Sequence, residues 1–173
     1  IYGNPHSSGP AAGPTSVKID AVRHHILNFC NVDSSTHSVI FTAGATHAVK
    51  IVGEYFPWMV NDTYCHSIEC HTSLLGIREY ALDKGSNEAN FSIVDVENKY
   101  NKCIEETNVS NKKTLFAFPA ECNFSGFQPK MDFLKHNDNK QHINDVVYDD
   151  DNRATEKQKL FVLLDAAKFA ATS

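Results

Sequence analysis

The stretch SVIFTAGATHAVKIVGEY, residues 38–55, predicts a strand, a tight turn and a helix in direct succession. Ser38–Phe41 is a short run of β-branched and aromatic residues, which favours a strand. Thr42–Thr46 is a run of small residues that suits a turn. The apolar residues that follow recur at helical spacing, at Ala48, Val49, Ile51, Val52 and Tyr55. This order of elements is typical of the α/β class.

The same alternation of strand and helix recurs along the rest of the chain. Further strands are predicted at Thr63–Ile68, Phe91–Val96, Thr114–Phe118 and Phe161–Leu164. Further helices are predicted at Ser73–Leu82, Glu97–Glu106 and Met131–Lys135. Because crossovers of this length join parallel strands, we expect a three-layer αβα fold with a mainly parallel sheet. Ligands of such sheets bind at the carboxyl ends of the strands.

Both ends of this pattern contain less regular sequence. Residues 1–15 are rich in Gly, Pro and Ser and predict an irregular N-terminal segment. Ser16 is predicted to cap a helix that ends near Asn31. The predicted buried face of this helix consists of Ile19, Val22, Ile26 and Phe29 or Cys30. Residues 136–159 are almost wholly polar, which predicts a solvated surface loop or insertion.

The composition of the 173 residues predicts one soluble globular unit. With 16 Lys and Arg against 21 Asp and Glu, the net charge is −5, which argues against partners such as nucleic acid or an anionic membrane. No apolar run approaches the roughly 20 residues of a membrane span. Five irregularly spaced cysteines argue against a disulfide framework and favour a reducing, cytoplasmic setting. The first residue is Ile1, so we expect a processed chain or a piece of a longer one.

Four places that follow strands or begin helices carry side chains suited to ligand binding. Thr42–Thr46 leads into a helix N-terminus, where backbone N–H groups and the Thr46 hydroxyl can hold a phosphate. His71 can stack on a planar ligand and move a proton near neutral pH. The Asn123 amide can donate to a phenolate or a carbonyl, and Asp165 needs a cationic or hydrogen-bonding partner. Each residue taken alone also suits a purely structural role, as a helix cap, a turn residue or half of an ion pair.

The segment CHSIECH, residues 65–71, holds four potential metal ligands. If the segment is a strand, Cys65 and His71 face one side, whereas His66 and Cys70 face the other. Four such side chains cannot converge on one ion, and their spacing matches no common zinc pattern. We therefore expect no metal site.

Taken together in chain order, these motifs resemble the class V aminotransferase superfamily and, within it, the molybdenum cofactor sulfurase family. The resemblance is most specific at HTSLLGIREYA (71–81), CNFSG (122–126) and LLDAAKFAATS (163–173). It covers nearly the whole chain and is weakest at residues 136–159. The resemblance implies an enzyme dependent on pyridoxal 5′-phosphate, with fold type I, in which residues 1–173 form part of the large domain.

This resemblance implies cofactor roles for residues already singled out. Ala45 and Thr46 would hold the cofactor phosphate, and His71 would stack on the pyridine ring and act catalytically in proton transfer. Asn123 would bond the phenolic oxygen. Asp165 would face the ring nitrogen, where a carboxylate keeps the nitrogen protonated and the pyridinium draws electrons from the substrate.

The implied reaction is that of an L-cysteine desulfurase. Sulfur would pass from cysteine to an enzyme thiol as a persulfide, and alanine would leave. The sulfur would then become the terminal ligand of the molybdenum cofactor, which activates xanthine dehydrogenase and aldehyde oxidase. The resemblance also implies a homodimer, and a region beyond Ser173 that binds the molybdenum cofactor.

Two departures from the family pattern leave alternatives open. Related desulfurases carry Gln at the position of Lys168, whose cation could pair with a phenolate instead. The Schiff-base lysine and the persulfide cysteine of the family would lie beyond Ser173, so we expect this chain alone to be inactive. All five cysteines of the chain are then expected to be buried structural thiols. The alternatives are a stand-alone cysteine desulfurase or selenocysteine lyase, and an inactive truncated product that acts only as a binding partner.

Overall fold

The computed structural model of the chain describes residues 3–109, 112–138, 147–148, 154–155 and 159–172. The chain divides into two compact units, Ile1–Thr42 and Ala43–Ser173. Most of the predicted polar loop at residues 136–159 lies outside the described residues. None of the helices in the described part is both long and apolar enough to cross a membrane.

The first unit contains one long helix, α1, which spans Ala12–Phe29. It begins four residues before Ser16, so the predicted cap at Ser16 is wrong. The Ser16 hydroxyl instead donates to the Pro5 carbonyl at 3.3 Å. The helix tolerates Pro14 in its first turn because the N–H groups there have no intrahelical partner.

The predicted buried face of α1 is also wrong in large part. Leu27 is buried, whereas Val22 and Ile26 are each more than one third exposed and Phe29 is 91% exposed. Cys30, directly after the helix, is exposed as well, although we expected a buried thiol. Helical spacing therefore identified the helix but not the side that is covered.

The segment before the second helix does not form the predicted strand. Ser38–Phe41 is irregular and takes part in none of the described strand pairings. High β propensity does not form a strand without a neighbouring strand to accept its backbone hydrogen bonds. The helix prediction is confirmed, because α2 spans Ala45–Tyr55.

The second unit is built on a parallel sheet. Its described strands are β1 Thr63–Ser67, β2 Asn87–Phe91, β3 Thr114–Pro119, β4 Val147–Tyr148, β5 Ala154–Thr155 and β6 Leu160–Asp165. The order β2-β1-β3-β6 forms the parallel sheet, and β4 and β5 form a separate antiparallel pair. The remaining helices are α3 Thr72–Leu75, α4 Ile77–Asp83, α5 Val96–Val109, α6 Asp132–Asp138 and α7 Phe169–Thr172.

Two predicted elements are displaced or broken. The strand expected at Phe91–Val96 lies instead at the more polar Asn87–Phe91, where it pairs with β1. Of the apolar residues that suggested the later position, Ile93 is buried in a 3₁₀ turn, Ile93–Asp95, and Val96 is buried at the start of α5, whereas Val94 is 66% exposed. The helix expected at Ser73–Leu82 is divided at Gly76, a residue that costs helix stability.

The core confirms the three-layer arrangement of the second unit. One sheet face presents Tyr64, Leu115 and Ala117 to residues of α2, α3 and α4. The opposite face presents Cys65, Phe116 and Phe118 to residues of α5 and α6. Because neighbouring strand residues alternate between faces, β1 and β3 each contribute to both clusters. The sheet is thus covered by helices on both sides, which leaves its carboxyl edge as the place for a site.

Candidate functional site

A cavity of about 170 Å³ lies at the carboxyl edge of the parallel sheet, where β3 and β6 end. All five residues that the sequence singled out for cofactor binding line it, namely Ala45, Thr46, His71, Asn123 and Asp165. Five further residues complete the lining, namely Ser73, Pro119, Glu121, Ala167 and Lys168. The structure therefore brings together side chains that are up to 123 positions apart in the sequence.

The predicted phosphate-binding turn, Thr42–Thr46, lines this cavity with Ala45 and Thr46, the first two residues of α2. Gly44 is the N-cap residue, with a φ of 154° that favours glycine, so the N-cap position has no side chain. The Ala43 N–H, one residue earlier, donates to His47 Nδ1 at 3.2 Å. Apart from its two chain neighbours, no heavy atom in the described part of the chain lies within 4 Å of the position that a Gly44 Cβ would take. The first turn of α2 thus presents backbone N–H groups and the positive end of the helix dipole beside the Thr46 hydroxyl.

His71 caps the short helix α3 with its side chain. Its Nδ1 accepts a hydrogen bond from the Ser73 N–H at 3.2 Å, and the Ser73 Oγ lies 2.9 Å from the same nitrogen. A nitrogen that accepts from a backbone N–H cannot carry a proton, so the neutral ring holds its proton on Nε2. The ring is exposed and lines the cavity. His71 therefore caps α3 through Nδ1 and also lines the cavity, where its ring can contact a ligand.

The loop between β1 and His71 is held by the Glu69 carboxylate. Its Oε2 accepts from the Ser67 hydroxyl at 2.7 Å and from the Ile93 N–H at 2.9 Å, and its Oε1 accepts from the Ser92 hydroxyl at 2.7 Å. Burial opposes the charge, but these hydrogen bonds hold the pKa of Glu69 below its ordinary value. The carboxylate thus ties this loop to the start of the 3₁₀ turn Ile93–Asp95.

The assumption that CHSIECH is one strand is only partly correct. β1 ends at Ser67, so Cys65 and His66 lie in the strand while Cys70 and His71 follow it. His66 Nε2 contacts Glu88 Oε1 at 2.9 Å. No group of three or more His, Cys, Asp or Glu within the described ranges is arranged to hold a metal ion.

Asn123 lies in a turn that is held by two backbone hydrogen bonds. The Gly126 N–H donates to the Cys122 carbonyl, and the Cys122 N–H donates to the Phe127 carbonyl, both at 2.9 Å. Gly126 has a φ of 71°, a conformation that glycine adopts without strain. This turn holds the exposed Asn123 at the cavity.

Glu121 and Lys168 form an ion pair in the cavity wall, which the sequence did not predict. Lys168 Nζ lies 2.9 Å from Glu121 Oε1 and donates to the Cys122 carbonyl at 3.2 Å. Glu121 was not singled out at all. Its position two residues after the buried strand β3 is the signal that would have identified it.

The five cysteines are free thiols. Four are buried and Cys30 is exposed, as described above. Burial raises the pKa of the Cys70 thiol to about 11, so it is protonated at neutral pH.

Curated relatives of the chain are molybdenum cofactor sulfurases. The chain is 34% identical to that of Arabidopsis thaliana, 35% to that of Solanum lycopersicum and 30% to that of Homo sapiens, and the matches cover 99–100% of the chain. The same matches cover 23%, 23% and 19% of the relatives, so the chain spans about a fifth of their length. A comparison with protein-family models found no match.

Solved structures with the same fold include enzymes of sulfur metabolism. A structure of C-DES with glycine covalently linked to the PLP cofactor matches with a TM-score of 0.64 and 17% identity, over 96% of this chain and 40% of that one. The cysteine desulfurase CsdA from Escherichia coli matches with a TM-score of 0.62 and 17% identity, over 97% of this chain and 39% of that one. At such low identity the likeness supports the fold, and it confirms the expected α/β architecture.

Proposed function

Because the chain is homologous to the N-terminal region of the molybdenum cofactor sulfurases, we propose that it forms the cofactor-binding part of a pyridoxal 5′-phosphate-dependent L-cysteine desulfurase. The observation that carries this proposal is the convergence of Ala45, Thr46, His71, Asn123 and Asp165 on one cavity. These residues provide an anion site, a planar stacking partner, a neutral donor and a carboxylate. Such a set matches the phosphate, the ring face, the phenolic oxygen and the ring nitrogen of the cofactor.

The residues present fit the phosphate and the ring nitrogen of the cofactor. The first turn of α2, whose N-cap residue Gly44 has no side chain, would bind the phosphate with the Thr46 hydroxyl. The Asp165 carboxylate lies at the end of β6, and its Oδ1 accepts from the Ala167 N–H at 3.1 Å. That bond orients the carboxylate, which would hold a proton on the ring nitrogen. When bound, the cofactor supplies an electron sink for bonds broken at the α-carbon of the substrate.

Two further residues would orient the ring and move protons. The Asn123 amide would donate to the phenolic oxygen. His71 would stack on the ring, and its Nε2 is the nitrogen that would donate a proton, because Nδ1 is engaged by Ser73. The substrate of this site would be L-cysteine, with sulfur passed on to the molybdenum cofactor in a homodimeric, cytoplasmic enzyme.

A stand-alone cysteine desulfurase is the second candidate, because the fold also matches CsdA with a TM-score of 0.62. Both candidates require cofactor binding and alanine formation from L-cysteine. They differ in whether the sulfur activates a molybdenum enzyme. Sulfur transfer to desulfo xanthine dehydrogenase, measured as recovered activity, therefore separates them.

The test uses the natural full-length protein that contains this sequence. After incubation with pyridoxal 5′-phosphate and removal of excess, the protein is expected to retain the visible absorbance of the cofactor and to release alanine from L-cysteine. Absence of both in the folded protein would overturn the proposal.

A further inference from the structure

Glu121 is held from two sides in the wall of the cavity. Its Oε1 contacts Lys168 Nζ and its Oε2 accepts from Gln128 Nε2, both at 2.9 Å. The Glu121 side chain is only 10% exposed, whereas the Lys168 side chain is 36% exposed. A carboxylate with little solvent contact needs such partners to keep its charge. The Glu121 carboxylate is therefore held in place by two polar partners and can serve as an anchor for the more exposed Lys168.

Lys168 is anchored to the same turn that carries Asn123. Besides the ion pair, its ammonium donates to the Cys122 carbonyl at 3.2 Å. A lysine has a long flexible stem, and ordering its ammonium costs conformational entropy unless such contacts hold it. The Glu121 carboxylate and the Cys122 carbonyl thus hold the Lys168 ammonium next to the turn that carries Asn123. Lys168 and Asn123 both line the cavity.

We propose that Glu121 positions the Lys168 ammonium to donate to the anionic phenolic oxygen of the bound cofactor, beside the Asn123 amide. This inference rests on the proposed function. A cation close to a phenolic oxygen stabilises its deprotonated form. A cation that is already fixed by the protein provides this stabilisation without reorganising when the ligand binds. Glu121 is a positioning residue, because it acts through Lys168.

The inference predicts a spectroscopic effect. In the full-length protein loaded with pyridoxal 5′-phosphate, the visible absorbance of the cofactor is followed as a function of pH. Lys168→Gln is expected to raise the midpoint of this titration by roughly one unit, because the phenolic oxygen loses a nearby cation. Lys168→Arg keeps the charge and is expected to remain close to the wild-type midpoint.

A double-variant cycle tests the role of Glu121. Without Glu121 the Lys168 ammonium loses its charged anchor and turns toward solvent. The shift caused by Lys168→Gln is therefore expected to be smaller in a Glu121→Gln background than in the wild type. Equal shifts in both backgrounds would show that Glu121 does not position Lys168 and would overturn the inference.

The controls separate this inference from the proposed function. Lys135→Gln removes a positive charge from an exposed ion pair with Asp132 and is expected to leave the midpoint unchanged. If the wild type binds the cofactor but Lys168→Gln does not move the midpoint, the inference fails while the proposed function stands. If the folded wild type binds no cofactor, both fail.

Discussion

Pro119 and Asp165 are register partners across the parallel strands β3 and β6. The Ala120 N–H, directly after Pro119, donates to the Asp165 backbone carbonyl at 2.8 Å. This pairing holds the end of β6 next to the turn that begins at Glu121. The Asp165 carboxylate is therefore fixed at the cavity by the sheet itself rather than by a mobile loop.

The first prediction concerns the Asp165 carboxylate. In the full-length protein, Asp165→Ala is expected to lower cysteine-dependent alanine release by more than about a hundredfold, because the ring nitrogen loses its counter-charge. Asp132→Ala removes a carboxylate from an exposed ion pair and serves as the control. Near-normal turnover of Asp165→Ala would exclude the assigned role.

The second prediction concerns the phosphate site at α2. Thr46→Ala is expected to weaken binding of pyridoxal 5′-phosphate by between about tenfold and about a hundredfold, since a hydrogen bond to a charged group is worth roughly 1.5–3 kcal/mol. Binding of pyridoxal, which has no phosphate, is expected to be unaffected. Equal losses of affinity for both ligands in equilibrium titrations would show that Thr46 does not contact the phosphate.

The third prediction separates the two roles of His71. Asn is a good N-cap residue, so His71→Asn is expected to keep the thermal stability of the wild type while alanine release falls strongly. His71→Ala is expected to lose about 1 kcal/mol of stability in addition to activity. Full activity in a stable His71→Asn variant would rule out a chemical role for the ring.

The fourth prediction follows from the lowered pKa of Glu69. Because hydrogen bonds favour its charged form in the folded state, this residue contributes stability above its unfolded pKa of 4.5. That contribution is lost as the pH falls through the lower, folded pKa. Urea unfolding is therefore expected to show that Glu69→Gln is less stable than the wild type at about pH 7 and that the difference shrinks at about pH 3. A constant difference between these pH values would contradict the assigned hydrogen bonds.

Much of the fold was predictable because the alternation of strands and helices is explicit in the sequence. β3, Thr114–Pro119, is a short apolar run, which is typical of a strand buried on both faces, and β6, Leu160–Asp165, is a similar apolar run at the edge of the sheet. β2 could not be found this way, because Asn87–Phe91 is polar and forms a strand only by pairing with β1. The exposed face of α1 and the irregular Ser38–Phe41 were missed for the same reason, since both depend on which segments lie nearby.

The sequence predicted five residues that line the cavity, but it did not predict the ion pair between Glu121 and Lys168 in the cavity wall. Thr46, His71, Asn123 and Asp165 each follow a strand or begin a helix, where ligand-binding residues of α/β proteins lie. Glu121 also lies after a strand, but its pairing with Lys168 joins residues 47 positions apart. Such a pairing has no signature in local sequence.

The central claim is that this cavity binds pyridoxal 5′-phosphate. A crystal structure of the full-length protein grown with the cofactor tests it most directly. We expect electron density for the phosphate at the first turn of α2, beside Ala45 and Thr46, and the ring nitrogen within hydrogen-bonding distance of the Asp165 carboxylate. Cofactor density elsewhere, or an empty cavity in crystals saturated with the cofactor, would contradict the claim.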